Sequence, residues 1–158
     1  MGKTLVAYFS ATGTTERAAK ALAEAAGADL FRIEPEVAYT SADLNWQDKQ
    51  SRSSVEMNNE RARPTIVSTV SNMGDYDTVF VGFPVWWYVE PRIVDTFLES
   101  ADFAGKTIVP FATSGGSGTG RAAEHMQQIV PGAKVQAGML LNGSLNPTSL
   151  RDWAMAYC

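Results

Sequence analysis

The chain has 158 residues, a length that fits one domain spanning 1–158 with a single sizeable core. Hydrophobic residues make up 45% and charged residues 19%, the balance of a folded soluble chain rather than a disordered one. A net charge of −4 argues against nucleic acid as the main partner, no apolar run approaches the roughly 20 residues that span a membrane, and the single cysteine, Cys158, forms no intrachain disulfide, which fits a cytoplasmic protein.

Leu5-Val6-Ala7-Tyr8-Phe9 is a short apolar run, the pattern of a strand buried on both faces and too short for a signal-peptide core. From Glu16 the chain is Ala-rich, with Ala18, Leu22 and Ala26 at helical spacing, and Gly27 ends that helix. Between strand and helix lies Ser10-Ala11-Thr12-Gly13-Thr14-Thr15. The first N–H groups of a helix have no intrahelical partner and carry partial positive charge, so a turn at this place suits an anion. Four hydroxyls in six positions exceed what capping a helix needs. The turn is neither G-x-x-x-x-G-K-[ST] nor G-x-G-x-x-G, which disfavours a P-loop triphosphatase and a dinucleotide-binding turn.

Residues 29–33 read as a second strand. Pro35 opens a long polar region reaching Arg63, in which 42–61 lacks strong breakers and is expected as a loose helix. Its arginines Arg52, Arg61 and Arg63 read as a solvated surface. Residues 72–75 read as a turn and 77–82 as a third buried strand. The stretch 83–90 is crowded with aromatics, and Pro91 is placed as the first residue of a helix with Ile93, Val94, Phe97 and Leu98 on one face. Residues 106–111 read as a fourth strand, followed by a turn of small residues over 113–120 and a helix carrying Ala122, Met126, Ile129 and Val130. A fifth strand is expected over 133–141, and Pro147 opens a last helix with Leu150, Trp153, Ala154 and Tyr157 on one face.

Strands alternating with helices indicate an α/β fold with a parallel sheet. Right-handed crossovers bring the turns at 10–15, 83–90 and 113–120 to one sheet edge, where such folds hold their ligands. The first turn offers hydroxyls and a helix N-terminus for a phosphate, the second Trp86, Trp87 and Tyr88 for a flat ring, and the third Gly115, Gly116 and Gly118 for close backbone approach. A phosphate joined to a planar polar ring describes FMN. His125 is the only histidine, so a His-based zinc site or a Ser-His-Asp triad has little material, and no residue stands out as an acid or base.

These motifs resemble those of short-chain, FMN-binding flavodoxins over nearly the whole chain. Ser10-Ala11-Thr12-Gly13-Thr14-Thr15 is similar to the family's T/S-x-T-G-x-T phosphate loop, and the stretches 83–87 and 113–118 resemble two flavin-flanking loops. The resemblance implies a three-layer, doubly wound, five-stranded parallel sheet in the order 2-1-3-4-5. It implies FMN held by Ser10, Thr12, Gly13, Thr14 and Thr15 at the phosphate. Pro84, Val85, Trp86 and Trp87, with Ser114, Gly115, Gly116, Ser117 and Gly118, would flank the ring. Two departures stand out: 113–120 has no aromatic to cover the flavin, and Val85-Trp86-Trp87 has no glycine where carriers turn a peptide. The resemblance leads to a flavin electron carrier serving a partner protein or a small acceptor. The alternative is an FMN-dependent NAD(P)H oxidoreductase acting on a quinone or other small molecule.

Overall fold

The computed structural model describes residues 3–11, 13–86, 89–113, 121–141 and 146–157. The apolar run at the start forms β1 (Lys3–Tyr8), with β2 (Asp29–Arg32) parallel to it on one side and β3 (Tyr76–Pro84) on the other. β4 (Thr107–Thr113) runs parallel to β3. The fifth position holds two short pieces, β5 (Lys134–Val135) and β6 (Met139–Leu140), each parallel to β4. The order is therefore 2-1-3-4-5, as expected.

The fifth strand is not continuous over 133–141. Gln136 N–H donates to the Ile108 carbonyl at 2.8 Å and Leu141 N–H to the Ala112 carbonyl at 2.8 Å. Between those anchors β4 presents Pro110, which has no N–H to give, and the ladder parts there.

Side chains alternate across the sheet. Leu5, Ala7, Val79, Val81, Ile108 and Ala112 face one core, shared with α3 (Arg92–Glu99) and α4 (Ala122–Ile129) through Ile93, Phe97 and Met126. Val6, Tyr8, Phe80, Val109 and Phe111 face the other, shared with α1 (Thr14–Ala26) and α5 (Pro147–Met155) through Ala18, Leu22, Leu150 and Ala154. Helices cover both faces, so the strands are apolar on both, as the unbroken runs in the sequence require. Gly82 on β3 is fixed by this packing: a Cβ there would lie 2.1 Å from the Phe111 ring.

Two expectations need correction. Pro91 is the N-cap of α3 rather than its first residue. The helix expected over 42–61 is only α2 (Arg52–Met57). Upstream of it, side chains take the backbone donors: Asn45 Oδ1 accepts from Gln47 N–H and Asp48 Oδ1 from Gln50 N–H. Such local bonds favour turns over helix. Ser51 then caps α2 by accepting from Ser54 N–H. Among the described residues no helix is long and apolar enough to cross a membrane.

Candidate functional site

The carboxyl ends of β1, β3 and β4 meet at one edge of the sheet. Gly13 is the N-cap of α1, with φ at 94°, a conformation that glycine adopts without strain. Its N–H donates to Ser10 Oγ at 3.0 Å, and its carbonyl accepts the first helical bond, from Arg17 N–H. Among the described residues no side chain caps the helix. The N–H groups of Thr14, Thr15 and Glu16 precede that first bond and therefore lack intrahelical acceptors. Thr14 is exposed, whereas Thr15 is buried, its Oγ1 lying 2.8 Å from Thr113 Oγ1 at the end of β4. That bond ties the first turn to the root of the third. Thr12 lies outside the described residues, as do Trp87 and Ser114, Gly115, Gly116, Ser117 and Gly118.

The second turn is anchored on the same strand. Val85 N–H donates to the Thr113 carbonyl at 3.2 Å, so the ends of β3 and β4 are tied side by side. Pro84, Val85 and Trp86 are half-buried. Trp86 exchanges both backbone bonds with Val89, at 3.0 and 3.2 Å. The Trp86 ring meets Phe9 edge-on at 5.8 Å and Tyr39 at 5.6 Å, and Phe9 and Tyr39 meet at 5.5 Å. This tryptophan packs on the protein.

Sequence reasoning missed Tyr39, whose contacts are all distant in the chain. The Arg52 guanidinium carbon lies 3.8 Å from its ring centroid, and its hydroxyl donates a short hydrogen bond to Glu56. Burial first, then that bond, push its phenol far above the ordinary value, so it stays protonated. Arg52 also pairs with Glu56 at 3.0 Å and donates to the Val37 carbonyl at 2.7 Å. The segment after β2 is thereby fastened over the aromatic cluster. Two of the three arginines read as solvated surface are internal clamps: Arg52, and Arg63, which forks onto Glu99 with two contacts at 3.0 Å. Arg61 is exposed. A detectable signal existed for Arg52 and Glu56, whose i,i+4 spacing on a helix makes a pair. A cleft of about 100 Å³ lies beside the first turn, lined by Ser10, Ala11, Arg32, Glu34 and Tyr39 among others.

Comparison with known proteins agrees with this geometry. A family model described as Flavodoxin matches residues 3–157. A crystal structure from Bacteroides eggerthii DSM 20697, provisionally called a flavoprotein, is 50% identical over 99% of this chain and 98% of its own, with a TM-score of 0.93. A second, from Bacteroides uniformis ATCC 8492 and described in the same terms, is 51% identical over 98% of each chain, with a TM-score of 0.91. At 18% identity, a flavoprotein in complex with FMN from Lactobacillus acidophilus NCFM shares the fold, with a TM-score of 0.73 over 98% of this chain and 99% of its own. No curated protein matches the chain.

Proposed function

The chain belongs to the flavodoxin family, and from that premise we propose that it binds FMN and carries electrons through it. The observation that supports this most is the start of α1. A helix N-terminus that no described side chain caps stands at the sheet's carboxyl edge, beside the roots of two turns that share Thr113 as an anchor. The N–H groups of Thr14, Thr15 and Glu16, with the helix dipole, suit a phosphate although the turn contains no lysine. Ser10 Oγ accepts from Gly13 and keeps its own proton to donate. Pro84, Val85 and Trp86 form one wall for a planar ring, with Trp86 setting the position of that wall through Phe9 and Tyr39. When bound, FMN supplies the redox chemistry, and the protein supplies binding, orientation and electrostatics. A partner protein or a small acceptor takes the electrons, in a cytoplasmic setting that the absence of disulfides favours.

A second reading, an FMN-dependent NAD(P)H oxidoreductase acting on a quinone or other small acceptor, draws on one observation. Both the N–H and the carbonyl of Trp86 are engaged by Val89, so the peptides on either side of it are held where a carrier would turn one.

Titration of flavin-free protein with FMN, riboflavin and FAD tests the cofactor. The expected result is about one FMN per chain, with FAD and riboflavin weaker. Ser10→Ala with Thr12→Ala removes candidate phosphate donors at about 1.5–3 kcal/mol per charge-assisted bond. FMN should weaken at least tenfold while riboflavin changes little. Equal weakening of both flavins, or equal uptake of FAD and FMN, refutes the site.

A further inference from the structure

Just beyond the aromatic turn, a second set of groups lies between α3 and α4. Glu90 and Asp95 are both fully buried, at 0% exposure. His125, on α4, brings Nδ1 to 2.8 Å from Glu90 Oε2 and 4.0 Å from Asp95 Oδ1. Glu90 Oε1 and both Asp95 oxygens are buried without a hydrogen-bond partner. Leaving buried carboxylate oxygens unpaired is expensive, so Glu90 and Asp95 either share a proton or hold a cation between them.

The surrounding charges say what sign that something has. Around the cluster and the cleft that opens onto it stand five carboxylates, Glu60, Glu90, Asp95, Glu99 and Glu124, and three guanidiniums, Arg63, Arg92 and Arg121. With a neutral imidazole this leaves an excess of two negative charges once Asp95 gives up the proton that it holds in the metal-free protein. The two nearest guanidiniums lie to one side: Arg92 Nη1 is 3.7 Å and Arg63 Nη1 4.0 Å from Asp95 Oδ2. The other Asp95 oxygen is the one nearer His125. Arg92 is itself held by the Met57 carbonyl at 2.9 Å.

We propose that Glu90, Asp95 and His125 bind one divalent transition-metal ion of the zinc class, fastening the exit of the 83–90 turn to α4. One ligand atom from each residue lies within 4.8 Å of the others. A tetrahedral ion with bonds of about 2.0–2.2 Å keeps its ligand atoms roughly 3.3–3.6 Å apart. The contacts of 2.8 and 4.0 Å bracket that separation, so small side-chain shifts close the site. One imidazole nitrogen with two carboxylates suits zinc and its neighbours better than magnesium or calcium, which take oxygen ligands. Arg92 and Arg63 then orient the Asp95 carboxylate from outside the ligand set. The cleft, about 300 Å³ and lined by His125, Arg92 and Val89 among others, gives the ion entry and a water its fourth ligand. None of the three ligands is among the residues read as holding the flavin.

The test is a Zn²⁺ titration of the chelator-stripped full chain against a chromophoric competitor. One ion per chain is expected. Asp95→Asn and His125→Gln should each weaken it at least about tenfold. Glu60→Gln with Glu124→Gln, on the rim, removes two charges but no ligand and should weaken it only a few-fold. Two readouts need no variant: Co²⁺ should give the intense visible absorption of a four-coordinate site, and Zn²⁺ should shift the His125 ring resonances. No stoichiometric binding, a six-coordinate Co²⁺ spectrum, an unmoved His125 signal, or binding that survives both ligand substitutions overturns the proposal.

Discussion

Tyr39 touches four side chains at once: Phe9 and Trp86 against its ring, Arg52 over it, and Glu56 at its hydroxyl. Tyr39→Phe keeps the ring and removes the hydroxyl, while Glu56 retains Arg52 at 3.0 Å. A loss of about 1–2 kcal/mol is expected in urea unfolding. Tyr39→Ala should cost more, and should also alter the emission of tryptophan, because Trp86 loses an edge-on neighbour. If Tyr39→Ala leaves both stability and emission unchanged, the segment after β2 is not fastened as described. Asp95 gives a pH signature of a different kind. Burial first, then Glu90 beside it, raise its carboxyl to about 9. In the unfolded chain the same group releases its proton near 3.9, so between those values the native state holds the extra proton. Stability of the metal-free protein therefore falls as pH rises through that window, by at most about 1.4 kcal/mol per pH unit for one group. Asp95→Asn cannot ionise and should lose that decline, faring better against the parent at pH 8 than at pH 5. Equal stability differences at the two pH values would contradict this.

The bond between Thr15 and Thr113 joins α1 to β4 across 98 positions of sequence. Thr15→Val or Thr113→Val alone strands the other buried hydroxyl, at about 1–2 kcal/mol, whereas the double change removes both groups together. A double-mutant cycle should show a coupling of about 0.5–1.5 kcal/mol, and additive effects would mean that the two elements are not linked there. This pair marks the boundary of what the sequence reveals. The strand–turn–helix at 5–22 and the apolar strands were legible because their signals are local: runs buried on both faces, helical spacing, and a hydroxyl-rich turn. Chain order and handedness then placed the turns on one edge without any knowledge of contacts. The break in the fifth strand was not legible, because only the ladder shows that the missing donor of Pro110 faces that neighbour. The short α2 was harder, because weak helix propensity yields to turns made by Asn45 and Asp48 side chains. Tyr39 with Arg52 and Glu56, and Glu90 with Asp95 and His125, were not legible. Their residues come together only when β2, β3, α3 and α4 are packed, and the histidine count alone missed the buried carboxylates that surround His125.

On the scale of the whole molecule, the question is how electrons reach a bound flavin. Hydride transfer from a nicotinamide requires the donor ring at near-contact distance over the acceptor, held in place by its own site. A pyridine nucleotide brings phosphates, which ask for cations with free donors. In the segment that follows β2 toward the same edge, Arg52 is engaged by Glu56 and the Val37 carbonyl, and Arg63 by Glu99 and the carbonyls of Glu60 and Ala62. Neither is left for a dinucleotide, and of the segment's cations only the exposed Lys49 and Arg61 remain to meet its phosphates. A carrier has no such need, since single electrons pass through an exposed ring edge to whichever partner docks there. Trp86 limits it in another way: with its N–H and carbonyl both bonded to Val89, turning the peptide on either side of it breaks one of those bonds, and a non-glycine residue held at positive φ costs about 1–2 kcal/mol. That is roughly tenfold in an equilibrium constant. Stepwise anaerobic reduction should accordingly accumulate little one-electron-reduced flavin. NADPH or NADH alone should leave the flavin oxidised over minutes, and a separate flavodoxin reductase should bleach it. Rapid bleaching by either nucleotide without a reductase, with turnover once a quinone is added, would replace the carrier by the oxidoreductase. Val85→Gly separates the loop's part from the donor's, because it loosens the backbone beside Trp86 while leaving that side chain against Phe9 and Tyr39. The one-electron form should then rise while the response to NADPH and NADH stays the same.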